Sequence, residues 1–70
     1  MGKNLKMKAA RAALGLTQQD LAEAVGVTRQ TIVAIERGDY NPSVTLALRI
    51  ARVFSVPVEE VFTLTGEGTE

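Results

Sequence analysis

The stretch from Thr17 to Gly38, TQQDLAEAVGVTRQTIVAIERG, limits what this chain can fold into more than any other segment. It reads as two short amphipathic helices joined by a tight turn. Thr17 followed three residues later by Asp20 is a variant of the capping box, with Asp in place of the usual Glu or Gln. Leu21, Ala22 and Val25 recur at helical spacing, and Gly26 stops the helix where a left-handed backbone is needed. Thr28 can cap a second helix, whose inward stripe is Ile32, Ile35 and, unusually, Glu36. Ala22 is small where the two helices must approach, and so short a connection makes them cross steeply, as in a helix-turn-helix.

Seventy residues form one domain. A chain of this size buries only about 60% of its unfolded surface, so a compact helical core or oligomerisation must supply stability. With 46% hydrophobic residues and only one Tyr and two Phe, it suits small aliphatic helix packing better than a sandwich. Cys is absent, which removes disulfides and thiolate metal sites and fits a reducing compartment. His is absent too, and with it the commonest general acid/base and the commonest metal ligand. Without these, and without a glycine-rich phosphate loop or a core large enough for a sizeable pocket, an enzyme is not expected, nor a cofactor or metal. No apolar run approaches the roughly 20 residues of a membrane span, and no signal-peptide core follows Met1. The expectation is a cytoplasmic protein with no membrane partner.

Net charge is zero, but it is unevenly placed. Met1 to Arg37 carries six basic residues (Lys3, Lys6, Lys8, Arg11, Arg29, Arg37) against the three acids Asp20, Glu23 and Glu36. Gly38 to Glu70 carries Arg49 and Arg52 against the five acids Asp39, Glu59, Glu60, Glu67 and Glu70. The local field of a basic front half can steer the chain to DNA whatever the total. A solvated surface of mixed charge is the plainer reading of the same count.

Along the chain, Met1 to Asn4 reads as a frayed end or the beginning of a first helix. From about Leu5, the series Met7, Ala10, Arg11, Leu14 follows the spacing of one buried face, and Gly15 ends the helix before Leu16 returns to the core. Arg11 is out of place on that face. Either it snorkels to solvent, or a buried carboxylate awaits it, and Glu36 is the candidate. The second and third helices run roughly from Gln18 to Val25 and from Arg29 to Arg37, with Gly38 as the stop. Asp39-Tyr40-Asn41-Pro42 is a polar turn, and Ser43 can cap a fourth helix over about Val44–Phe54. That helix buries Leu46, Ala47, Ile50, Ala51 and Phe54 and turns Arg49 and Arg52 outward. Ser55 and Val56 break it, and Pro57 begins a short fifth helix through about Phe62, with Val58, Val61 and Phe62 on its apolar side. The ordered domain spans residues 1–64, and residues 65–70 are expected to form a flexible tail.

Taken together, ALGLTQQDLAEAVGVTRQTIVAIERGDYNPS, a further helix and FSVPVEEVF resemble the Cro/repressor-type (XRE-like) DNA-binding family over about Leu5 to Leu64. The resemblance implies an all-α, five-helix, phage-repressor-like domain. Its helix-turn-helix is formed by helices 2 and 3, and the third helix lies in the major groove of double-stranded DNA. Matched position by position, the base-facing residues are Arg29, Gln30, Val33 and Ala34. Arg29 suits guanine O6 and N7, Gln30 suits adenine, and Val33 and Ala34 offer only apolar contact, for example to a thymine methyl. Read without the family, Arg29 and Gln30 are simply an exposed helix start. The matching backbone contacts are Gln18 at the amino end of helix 2, its neighbours Gln19, Thr28 and Thr31, Arg37 before the glycine, and Tyr40 and Asn41 in the loop. Arg11 and Glu36 match a buried ion pair of phage-repressor members.

The function implied is a sequence-specific transcriptional regulator, a repressor in the first instance, acting as a homodimer on a palindromic operator with half-sites about 34 Å apart. Val58, Val61, Phe62 and Leu64 could serve that dimer or merely close the core. The alternative is an antitoxin-like or adaptor protein whose acidic carboxyl half binds a protein partner.

Overall fold

The computed structural model describes residues 4–62. Four α-helices follow one another: α1 (Leu5–Ala13), α2 (Gln18–Val25), α3 (Arg29–Arg37) and α4 (Val44–Phe54). A single 3-10 turn, Val58–Glu60, comes last. All the described secondary structure is therefore helical, but the expected fifth helix is only this turn. Its start has no side-chain cap, and Val61 N–H and Phe62 N–H both return to the Val58 carbonyl as Val61 turns into the core. The expected tail, residues 65–70, lies outside the described residues, as does Leu64.

Side-chain caps set where each α-helix begins. Thr17 and Asp20 form the reciprocal capping box: Asp20 N–H donates to Thr17 Oγ1 and Thr17 N–H donates to an Asp20 carboxylate oxygen, both at 2.9 Å. Thr28 and Ser43 cap α3 and α4 in the same way, each accepting from the backbone N–H three residues on. Asn4 belongs to the fold rather than to a frayed end. Its side chain accepts from Met7 N–H and donates to the Val61 carbonyl, while its own N–H donates to the Glu36 carbonyl. One residue thus ties the beginning of α1 to the end of α3 and to the last described segment.

A left-handed residue caps α2, α3 and α4, whereas α1 is capped by right-handed Leu14 and the left-handed residue, Gly15, follows it. At Gly26 and Gly38 that conformation (φ +80° and +82°) has no steric penalty. After α4 the same place is held by Ser55 at φ +59°, the one described non-glycine residue with positive φ. Beyond α1, Gly15 N–H and Leu16 N–H bond back to the Ala12 and Arg11 carbonyls. That early stop leaves Leu14, expected on the buried face, 53% exposed, and Leu16 packs against the core instead.

The core is aliphatic. Met7, Leu21, Ala22, Val25, Ile32, Ile35, Leu46, Ile50, Phe54 and Val61 form one cluster, drawn from every helix and from the residue after the 3-10 turn. Because Ala22 is fully buried with Leu21 and Ile32, α2 and α3 pack closely and the exposed start of α3 stands on a fixed base. Among the described residues no helix is long and apolar enough to cross a membrane.

Candidate nucleic-acid interface

α3 has two chemically different ends. At its start, Thr28 is extended (φ −83°, ψ 159°) and its hydroxyl accepts the Thr31 N–H at 3.3 Å. Arg29 and Gln30 follow, both exposed, and neither makes a side-chain hydrogen bond to a described residue. Five guanidinium donors and a full amide are therefore presented from the first turn of a helix held by its cap. Val33 and Ala34, one turn further on, are only half-exposed, so any contact they make is a small apolar one. Backbone N–H groups at the amino ends of α2 and α3 lack intrahelical partners, and the helix dipole favours anions there.

At the other end of α3, Glu36 is buried with three donors around it. Arg11 Nε reaches its Oε2 at 2.7 Å and Arg11 Nη2 its Oε1 at 3.3 Å. Gln18 Nε2 donates to the same Oε1 at 3.2 Å, and Arg11 Nη1 donates to the Leu16 carbonyl at 2.8 Å. Only 13% of the Arg11 side chain and 4% of that of Glu36 are exposed, so Arg11 does not snorkel to solvent. No buried side-chain polar atom among the described residues lacks a partner. A carboxylate on an apolar stripe is thereby made tolerable, and α1, α2 and α3 are joined through one group.

The residues matched to phosphate contacts are mostly engaged already. Gln18 is held by Glu36, and the Gln19 amide donates to Glu23 at 2.9 Å. The hydroxyls of Thr28 and Thr31 are 3.2 Å apart. Arg37 lies 3.6 Å from Asp39 on the surface, so its positive charge is partly offset by a residue that charge counting assigns to the acidic half. Tyr40 and Asn41 are exposed in the loop after α3, with no side-chain hydrogen bond to a described residue. Amide and guanidinium groups have further hydrogens, so an existing partner does not remove them as phosphate donors; it fixes which hydrogen faces out.

Asp20 is exposed, and the Thr17 backbone N–H, helped by the Thr17 hydroxyl, holds its carboxyl below the ordinary aspartate value.

Two features escape sequence reading. The Gln18–Glu36 bond has no signature, because Gln at the first helical position is ordinary there. The second is an apolar strip on the outside of α4, where Val44 is 78% and Leu48 51% exposed. A signal for it does exist: eight of the eleven residues of Val44–Phe54 are apolar, more than one buried face can use. Of the group expected to serve a dimer, Val61 is buried in the core, while Val58 and Phe62 are half-buried.

The helix-turn-helix family model matches residues 7–61. The chain is 55% identical over 62 residues to the uncharacterized HTH-type transcriptional regulator YgzD of Bacillus subtilis, covering 89% of this chain and 94% of that one. To an HTH-type transcriptional regulator of Methanocaldococcus jannaschii it is 54% identical over 57 residues, 81% of this chain and 86% of the relative. Among solved structures, the restriction-modification controller protein C.AhdI of Aeromonas hydrophila superposes with a TM-score of 0.78 at 30% identity, covering 84% of this chain and 89% of that one. With a capped, exposed α3 standing on a buried α2–α3 contact and relatives of this kind along nearly its whole length, the chain belongs to the XRE-type helix-turn-helix family of DNA-binding transcriptional regulators.

Proposed function

We propose that this protein represses transcription in the cytoplasm by binding a palindromic operator as a homodimer, with α3 of each copy in the major groove. The observation that carries the reading is the pair Arg29 and Gln30, exposed at the amino end of α3 and without side-chain partners among the described residues. Arg29 reads a guanine through O6 and N7 and Gln30 an adenine, while Val33 and Ala34 lie against thymine methyls. Gln18, Gln19, Thr28, Thr31, Arg37, Tyr40 and Asn41 hold the sugar–phosphate backbone on either side. Two base readers per copy are too few for an address in a genome. Two-fold repetition about one helical turn apart doubles them, and the outward Val44 and Leu48 of α4 supply an apolar surface for the second copy.

Selection of bound sequences from a random duplex library tests this directly. The expected product is an inverted repeat, and Arg29→Ala should lose about 1–3 kcal/mol of discrimination at one position of each half-site. Arg37→Ala should instead weaken all sequences alike and lower the slope of log affinity against log salt by about 1. Equal affinity for every sequence, or an Arg29→Ala variant that selects the same repeat as strongly, overturns the proposal. A tight protein partner whose binding is unaffected by Arg29→Ala would favour the adaptor reading instead.

A further inference from the structure

The junction of α1, α2 and α3 holds more than an ion pair. We infer that Glu36 is a positioning residue for DNA binding, and that it acts by holding the Gln18 amide in the orientation that presents a donor to phosphate. The inference rests on the phosphate role proposed for Gln18. Glu36 is an acceptor-only carboxylate, so the amide that meets it must turn its NH2 group inward. Gln18 Nε2 lies 3.2 Å from Glu36 Oε1, and one of its two hydrogens is used there. The second hydrogen is left for an incoming anion at the amino end of α2, beside backbone N–H groups that also have no intrahelical partner.

Without Glu36 the amide can rotate half a turn and offer its oxygen to the same place, which a phosphate would repel. Arg11 completes the device from behind. Its Nε and Nη2 reach both oxygens of Glu36, and Nη1 is anchored on the Leu16 carbonyl just before the Thr17 cap. Arg11 therefore offsets a negative charge that would otherwise sit close to a phosphate-binding position. A purely structural ion pair would need only Arg11 and Glu36, whereas here the Oε1 atom is shared with the first residue of α2.

The test is a double-mutant cycle. Arg11→Met with Glu36→Leu replaces both charges by apolar groups and strands neither, and far-UV circular dichroism checks that the helices remain. In that background DNA affinity is expected to fall about tenfold, the effect of losing one charge-assisted hydrogen bond. Combined with Gln18→Ala, the same pair of changes should cost nothing further. Equal losses with and without the Gln18 side chain would show a merely structural pair and overturn the inference. So would a Gln18→Ala variant that binds as tightly as the unaltered chain, since there is then no ligand to position.

A measurement on the unaltered chain without DNA separates this inference from the wider reading of function and does not depend on any variant folding. The Gln18 side-chain NH2 should be rigid by NMR relaxation, in contrast to that of exposed Gln30. Equal mobility of the two overturns the positioning role even if the protein binds an operator. Failure to select any operator sequence overturns the functional reading, and with it the DNA step of this inference, while a rigid Gln18 amide would still establish the clasp.

Discussion

The two ends of α3 put polar side chains to opposite uses. At the carboxyl end, Glu36 is buried and its carboxylate is bonded within the fold, to Arg11 and Gln18. At the amino end, Arg29 and Gln30 are exposed and hold their donors available. The same helix thus carries a residue whose side-chain hydrogen bonds are complete when the chain folds and residues whose donors are left unused by the described fold. Exposure alone does not separate the two classes. Thr28 and Asp20 are exposed as well, yet both are engaged in caps. What separates them is whether the hydrogen bonds are already made.

The largest expected effect tests the carboxyl end. Glu36→Ala strands the guanidinium of Arg11, whose side chain is 13% exposed, at a cost of about 3–5 kcal/mol. Stability of a domain this small is itself of that order, so chemical denaturation should find the variant mostly unfolded or close to it. Arg29→Ala, seven residues earlier, should change stability by less than about 0.5 kcal/mol in the same measurement. If the two variants unfold alike, the contrast between the ends is wrong.

Much of this arrangement is legible in the residues. The capping box at Thr17, the glycine stops and the buried stripe of α4 follow from local rules with short reach, and neighbouring residues contain all the information those rules need. Glu36 is conspicuous for another reason: a charge on an apolar stripe must be answered somewhere, and Arg11, itself out of place on the inward face of the first helix, is the cation that answers it. The parts that were not legible depend on where chain segments end in space. Leu14 keeps helical spacing but lies past the point where the Gly15 and Leu16 N–H groups close the helix, so it is exposed. The segment after Pro57 has the length of a short helix, but Val61 is drawn into the core and only a 3-10 turn forms. Gln18 shows the opposite case. Its type suits a helix start, a phosphate contact and a bond to Glu36 equally, and only tertiary geometry brings the third into being.

A second expected effect, smaller, sharpens the comparison within the amino end itself. Thr28→Ala removes the side-chain acceptor for Thr31 N–H, leaving only the Thr28 carbonyl, and should cost about 1 kcal/mol of stability. Thr28→Asn, which keeps a capping oxygen, should recover most of it in the same thermal melts. Two adjacent residues would then differ in kind, Thr28 carrying stability beside its proposed phosphate contact and Arg29 acting on DNA alone. A loss at Arg29→Ala as large as that at Thr28→Ala would mean that the first turn of α3 does not assign its residues this way.

The smallest effect is a dependence on pH, and it concerns the exposed but engaged carboxylate of α2. Thr17 N–H donates to Asp20 in the folded chain, which lowers the Asp20 pKa relative to the unfolded chain. A group with a depressed folded pKa contributes stability above its unfolded value, about 3.9 for aspartate, and loses that contribution as pH falls through the folded value. Asp20→Asn cannot titrate. The unaltered chain should therefore be the more stable of the two at pH 7, with the gap narrowing from about pH 4 downward. Melting both proteins across pH 2–7 checks the sign. A gap that stays constant over that range would place Asp20 with Arg29 and Gln30, among the groups that folding leaves unengaged, and would break the rule that engagement rather than exposure divides the polar residues of this domain.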